Sequence, residues 1–316
     1  MQPFTVSDCI STVFPILIVI AIGYILKVFN ILDNNFSGQI NHLNYVLGFP
    51  LLLFTSTVTA DLQTLFNLKL VLYSIGSIFV MALLSYIIFG KLVDKKKQGA
   101  LTTTSFRSDI LLFAIYITKQ LFAEKGLALA AMLTAFISPT VTTLSIIILN
   151  HLDQEKRQGL KIGATILNII KNPFIIAVTL GVLYNFTTLP FPSPLLEPLQ
   201  DLGTMAIPLS LLSVGAQLNF KNIAQEKSLI ALGVLSRLVI IPVIFVTGAV
   251  LLGFRGIFLA CLFAQFSAPA TVSCHSFAEQ MNSDSQLTAS IIIFSTIFSV
   301  ITIFIGLLIL THLKLL

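Results

Sequence analysis

Apolar residues run along the chain in long stretches separated by short polar ones, and ten helical spans can be drawn through them. They cover 9–29, 39–59, 70–90, 99–121, 127–150, 172–186, 199–218, 228–252, 257–278 and 286–310. Most have the length of about 20 residues that an α-helix needs to cross the hydrocarbon of a bilayer. Three depart from the pattern. The fourth carries Arg107 and Asp109, the sixth is short, and the ninth is rich in small and polar residues around Pro269. Polar residues punctuate the rest: Asp94 to Lys97 after the third span, Asp153 to Arg157 after the fifth, and a stiff Pro-rich turn over 188–194. The part-polar segment 160–171 reads either as an amphipathic helix at the interface or as an extension of the sixth span.

Composition turns this pattern into a class. Of 316 residues, 56 % are hydrophobic and 10 % charged, against about 25 % charged in soluble domains. Mean hydropathy is +0.97. Ten spans use roughly 200 residues, so the expected fold is an all-α polytopic membrane protein with short loops. A soluble enzyme, a disordered chain and a disulfide scaffold are excluded. Cys9, Cys261 and Cys274 lack metal-ligand spacing and lie in or beside apolar segments, which reads as buried thiols. No cofactor is implied.

The net charge of +5 does not point to nucleic acid, because most basic residues sit between spans. Two of the 18 Lys and Arg lie deep in spans; 11 fall on the side of the odd-numbered loops and 5 on the other. The positive-inside rule then puts the odd loops in the cytoplasm and both termini outside a plasma or inner membrane. The first span is preceded by Asp8 and by no Lys or Arg, so it lacks the basic start of a cleavable signal peptide.

The chain repeats itself. Pro15, Ile18 and Gly23 recur as Pro173, Ile176 and Gly181, and Pro50 as Pro208, all at an offset of 158 residues. Phe122-Ala123-Glu124 recurs as Phe277-Ala278-Glu279 at 155, which suggests a small deletion in the second half. The repeat spans five helices. Five is odd, so the second copy must be inverted in the membrane, a plan that transporters use to build midplane binding sites at interrupted helices.

The residues Asn44 to Phe54, Lys171-Asn172-Pro173 with Gly181, Pro208 to Leu212 with Gly215 to Leu218, Ala268 to Thr271 and Ser295-Thr296, in this order, resemble the auxin efflux carrier family, which includes malonate-type carboxylate transporters. The resemblance covers nearly the whole chain. It implies two inverted five-helix repeats, 1–150 and 172–316, joined by a cytoplasmic loop over 151–171. It further implies a scaffold of helices 1, 2, 6 and 7, a transport domain of helices 3–5 and 8–10, and broken helices 4 and 9 that cross beside the substrate. A homodimer through the scaffold, an elevator-like motion, and the absence of enzymatic activity and prosthetic groups belong to the same expectation. The fourth span departs from the family pattern of Arg, Asn and Gly-x-Pro: Asp109 replaces the Asn and Tyr116 the Pro. That predicts a less sharply broken fourth helix and an acidic group where an amide is expected.

Candidate site residues follow. A charge at membrane depth is costly and faces a cavity or a partner. Arg107 is therefore a candidate to attract an anionic substrate, or else snorkels to the interface. Asp109 is a candidate for substrate, proton or cation. Pro269 breaks its helix, freeing backbone groups beside Thr271 and Ser273 to line a binding site, or simply kinks it. His275, four residues before Glu279, is a candidate proton carrier, with Glu279 at a solvated helix end. Arg237 reads as a structural charge that neutralises Asp109 or a helix C-terminus. The expected function is a secondary carrier of a small organic solute of the carboxylate class, with Asp109 the candidate point of coupling to protons. A sodium-coupled bile-acid-type organic anion carrier is the alternative. An intramembrane enzyme and a ligand sensor are more remote: the four His are scattered, and no HExxH, GxSxG or soluble signalling domain is present.

Overall fold

The computed structural model describes residues 6–60, 66–153, 171–187, 189, 191–218 and 226–316. Residues 154–170 of the expected connecting loop and amphipathic segment lie outside them. Among the described residues the protein is helical, with one isolated antiparallel bridge, Ser108 to Ala270. Helix α1 (Val6–Val28) leads to α2 (Asn34–Leu43), whose N-cap Asp33 accepts the Phe36 N–H at 2.6 Å. A π-helical turn (Asn44–Gly48) carries α2 into α3 (Phe49–Val58). Pro50 follows this turn: a proline ring collides with the carbonyl four residues back, and a wider turn relieves the collision. The same device precedes Pro242, where a π turn (Ser236–Ile240) joins α10 (Lys227–Leu235) to α11 (Ile241–Leu251).

Between these, α4 (Leu68–Gly90) and α5 (Lys95–Phe106) are capped by Asn67 and Asp94. A π turn (Ile110–Ala114) opens α6 (Ile115–Leu152), whose regular geometry breaks at Phe122 and Ala123. The helices α7 (Pro173–Asn185), α8 (Ser193–Thr204) and α9 (Ala206–Gln217) precede α10. After α11 come α12 (Gly256–Ser267), α13 (Ser273–Gln280) and α14 (Ser285–His312). Among the described residues, five stretches are long and apolar enough to cross a membrane unaided: Cys9–Val28, Leu68–Gly90, Ile110–Leu152, Lys227–Leu251 and Ser285–His312. They carry large exposed apolar side chains such as Phe14, Leu83, Val243 and Ile301, which suit hydrocarbon.

Two half-helices of 12 residues each, α5 and α12, fill the interior instead. Every residue from Gln98 to Phe106 and from Leu259 to Ser267 is buried. The run Thr103-Thr104-Ser105 is tolerated there because each hydroxyl donates to the carbonyl four residues earlier, at 2.7–2.8 Å.

Contacts between the two halves of the chain recur at a fixed offset. Gly23 brings α1 so close to α9 that a Cβ would stand 2.2 Å from the Leu212 carbonyl oxygen, and a Cβ at Gly181 of α7 would stand 3.1 Å from that of Phe54. Lys27 Nζ donates to the Leu218 carbonyl at 2.8 Å, and Asn185 Nδ2 to the Ala60 carbonyl at 2.8 Å. Gly23 and Gly181, Leu212 and Phe54, Lys27 and Asn185, Leu218 and Ala60 are each 158 residues apart. The Phe-Ala-Glu match does not follow suit. Phe122 and Ala123 lie at the break in α6, whereas Phe277 to Glu279 lie within α13. The positive-φ residues at the corresponding turns are Ala123 and Asn282, 159 apart, so these turns call for no deletion between the halves.

One end of the molecule is laced together. Lys97 pairs with Glu226 at 2.5 Å, tying α5 to α10. Asp284 N and Ser283 Oγ both donate to the Lys96 carbonyl, at 3.2 and 2.8 Å, tying α5 to α14. The Glu226 carboxylate hydrogen-bonded to its ammonium holds Lys97 above the usual lysine pKa. Its contribution is therefore complete below the ordinary lysine range and fades only as pH climbs through the raised value. The tie is constant across neutral pH.

Gly215 reciprocates the α1–α9 contact, with an added Cβ 2.0 Å from the Ile20 carbonyl oxygen. Gly215→Val is expected to destabilise the protein by about 2 kcal/mol or more through overpacking. Gly76→Ala, whose added Cβ meets nothing within 4 Å, is expected to melt like the wild type in detergent.

Candidate functional site

The site is built where α5 and α12 both stop. After Phe106 the backbone is extended at Arg107 (φ −92°, ψ 93°), and after Ser267 at Ala268 (φ −59°, ψ 146°). The two breaks bond to each other: Asp109 N donates to the Pro269 carbonyl at 2.9 Å, and Thr271 N to the Arg107 carbonyl at 3.3 Å. Ala270 N reaches Ser295 Oγ on α14 at 3.3 Å. Backbone groups freed at membrane depth need such partners. The expectation of a less sharply broken fourth helix is corrected here. The chain leaves helical geometry over Arg107 to Asp109 without a proline, because the opposite break supplies the hydrogen bonds that the helix gives up.

Arg237 holds the two helix ends. It is fully buried. Its Nε donates to the Ala268 carbonyl at 2.8 Å, Nη1 to that of Ser105 at 2.9 Å, and Nη2 to that of Gln265 at 3.0 Å. Helix C-termini carry unpaired carbonyls and partial negative charge, and two of them meet here on one guanidinium. Of the two structural roles expected for Arg237, its bonds are those of the helix C-terminus, with no ion pair to Asp109.

Arg107 is buried as well. Nε donates to Ser273 Oγ at 3.1 Å, Nη1 donates to Ser145 Oγ at 3.1 Å, and the guanidinium lies 4.4 Å from the Phe277 ring centroid. It does not snorkel. Its Nη2 has no hydrogen-bond partner among the described residues. Thr271 Oγ1 stands 3.3 Å from Ser273 Oγ, so Arg107, Thr271 and Ser273 form one cluster. Ser145 and Phe277 complete it. Ser145, a lone serine in an apolar span, is a weak signal in sequence, and Phe277 stands out there only through the Phe-Ala-Glu recurrence, which says nothing of Arg107.

Asp109 lies apart from this cluster and forms no ion pair with Arg107. It N-caps the following π turn, Oδ1 accepting the Leu112 N–H at 3.3 Å. Its half-buried carboxylate thus sits at a helix N-terminus, where negative charge is favoured. At the start of α13 the corresponding place is held by Val272, which makes no side-chain cap.

His275 lines a cavity of about 940 Å³. One wall includes Asn41 of α2 and Gln217 of α9; the other includes His275, Glu279, Gln286 and Thr296 of α13 and α14. His275 Nδ1 lies 3.0 Å from the Ser285 carbonyl oxygen and Nε2 3.3 Å from Glu279 Oε1. The cavity opens beside the laced end and reaches inward to Val272 at the break. No group of three His, Cys, Asp or Glu that could hold a metal is formed among the described residues.

A family model described as membrane transport protein matches residues 8–306. An uncharacterized transporter of Methanothermobacter thermautotrophicus is 25 % identical over 302 residues, covering 93 % of this chain and 95 % of the relative.

Arg237→Met is expected to cost about 3–5 kcal/mol, since three buried carbonyls lose a charged donor. Arg237→Lys, with one nitrogen for three acceptors, is expected to fall between, as read by melting in detergent. Separately, Ser276 lines the cavity while Cys9, Cys261 and Cys274 are buried. Ser276→Cys is expected to react with a membrane-impermeant thiol reagent that leaves the wild type unmodified.

Proposed function

The chain belongs to the membrane transport protein family, that of the auxin efflux carriers, and on that premise we propose that it is a secondary carrier moving a small organic anion of the carboxylate class by elevator-like alternating access. The observation that carries this reading is the arrangement of Arg107. Two of its nitrogens are bonded to serines while Nη2 is uncommitted, and a guanidinium edge is a natural donor to a carboxylate. Beside it, Ser273 opens α13, whose N-terminus lacks a side-chain cap and adds partial positive charge for an anion. Thr271 and Ser273 supply hydroxyls, and the Pro269 carbonyl fixes the break.

In this reading residues 1–150 and 172–316 form inverted repeats joined through 151–171, and the contacts recurring at 158 residues support that equivalence. The laced helices α4 to α6 and α10 to α14 move as one body. The remaining helices are the scaffold and the homodimer face. The cavity lined by Gln217 on one side and His275 on the other is then the open path from one membrane face to the site. The positive-inside bias makes that face cytoplasmic and leaves both termini outside. Asp109, with His275 beside the path, is the proposed point of proton coupling.

Uptake of radiolabelled carboxylates into proteoliposomes tests both parts. Arg107→Gln is expected to weaken substrate binding about tenfold or more, the worth of a charge-assisted hydrogen bond. Asn caps a helix as well as Asp does, so Asp109→Asn removes the charge and keeps the turn. It is expected to transport without responding to a pH gradient. Unchanged pH-gradient dependence in Asp109→Asn refutes proton coupling there, and uptake driven by sodium and indifferent to pH favours the bile-acid-type alternative.

A further inference from the structure

Away from the crossover, α10 and α11 stand off from α14 and leave two confluent hollows on the apolar outer surface. The first, about 670 Å³, begins at Lys227 and runs past Val234 and Leu238 to Phe298. The second, about 460 Å³, continues from Leu238 toward Leu313. The first is lined almost wholly by aliphatic and aromatic side chains. Its back is closed where Gly233 lets Ile291 of α14 approach to 2.6 Å of the position a Cβ would take. The stretch Lys227–Leu251 has 25 residues, about 37 Å of helix, so a hollow starting at its first residue and ending near its middle has the depth of one leaflet of a core about 30 Å thick.

The two ends of this hollow differ in chemistry. Lys227 is exposed at the mouth, where hydrocarbon gives way to water. The adjacent carboxylate, Glu226, is committed to Lys97 at 2.5 Å, and Lys227 has no acidic partner among the described residues. A ligand whose buried part carried polar groups would lose their hydration without recompense. A hydrocarbon chain loses nothing, and a cation at its head favours a negative group over a zwitterionic one.

We propose that this groove binds an anionic phospholipid of the leaflet on the Lys227 side, with an acyl chain in the hollow and the phosphate at Lys227. The site is separate from the transport path, and it rests on the membrane location alone. Its deep end touches Leu238, the neighbour of Arg237 in the π turn. The lipid therefore braces the turn that carries the guanidinium between the two helix ends, and anionic lipid stabilises the crossover from outside.

Delipidated full-length protein in neutral detergent is titrated with dioleoyl phosphatidylglycerol or dioleoyl phosphatidylcholine. Adducts are followed by native mass spectrometry and melting is recorded in parallel. The wild type is expected to bind the anionic phosphatidylglycerol more tightly and to melt higher with it. Lys227→Gln is expected to lose about fivefold in that affinity, the worth of one basic residue at a lipid surface, and to treat both lipids alike. Lys91→Gln, exposed near the same end, is expected to keep the preference. Ala231→Trp, which fills the hollow, is expected to lose both lipids; Lys227→Gln decides the matter should that variant misfold. Equal binding of the two lipids by the wild type, or an unchanged preference in Lys227→Gln, overturns the proposal. So does efficient disulfide formation between two copies carrying Leu235→Cys in native membranes, which makes the groove a protein interface.

Discussion

A helix that stops inside a membrane leaves carbonyls and amides with no water to take them, and this constraint organises the protein. Two such stops are made, after Phe106 and after Ser267, and each is tolerable only because the other is present. The extended backbones exchange hydrogen bonds through Asp109, Pro269, Arg107 and Thr271, while three carbonyls at the helix ends converge on Arg237. The burial of α5 and α12 follows: helices whose ends must meet at the centre cannot lie at the lipid surface. The polar character of α5 follows too, since threonines and serines bonded to their own helix cost little when buried and let backbones pack closely.

Separating the ends by charge organises the chemistry. The C-terminal ends share Arg237. The N-terminal ends differ from each other. Asp109 closes the one that leads into α6, and the start of α13 is left without a side-chain cap, next to Arg107. A buried cation with an uncommitted edge beside a positive helix end is a poor structural device and a good receptor for an anion. That contrast between two arginines of similar burial separates the proposed binding residue from the brace.

Much of this was legible in the sequence. Hydropathy alone delimits the apolar spans, and the offset of 158 picked from Pro15, Gly23 and Pro50 reappears in contacts that no sequence comparison would select, such as Lys27 with Leu218 against Asn185 with Ala60. Arg107, Thr271 and Ser273 were singled out by chemistry and meet in space. The break at Arg107 is not legible locally: the missing proline argues against it, whereas the partner that makes it is 160 residues away at Pro269. The contacts of Ser145 and Phe277 with Arg107 are not legible in the sequence, because both residues reach it from other helices. The Phe-Ala-Glu recurrence was a local likeness of three residues without a shared place in the fold.

The glycine contacts between α1 and α9 carry a consequence for how motion can be distributed. Where backbone lies against backbone with no side chain between, there is no layer of rotamers to slide on; displacement along the helices would drive Cα atoms into carbonyl oxygens within a fraction of a turn. Such a seam fixes a datum. Faces lined by long, adaptable side chains, such as Gln217 opposite Gln286 and His275 across the cavity, have the opposite property and can re-register. In the proposed carrier the first would serve as a rigid joint and the second as a lubricated one, so that the stroke of the alternating movement would be measured against the one and travel along the other.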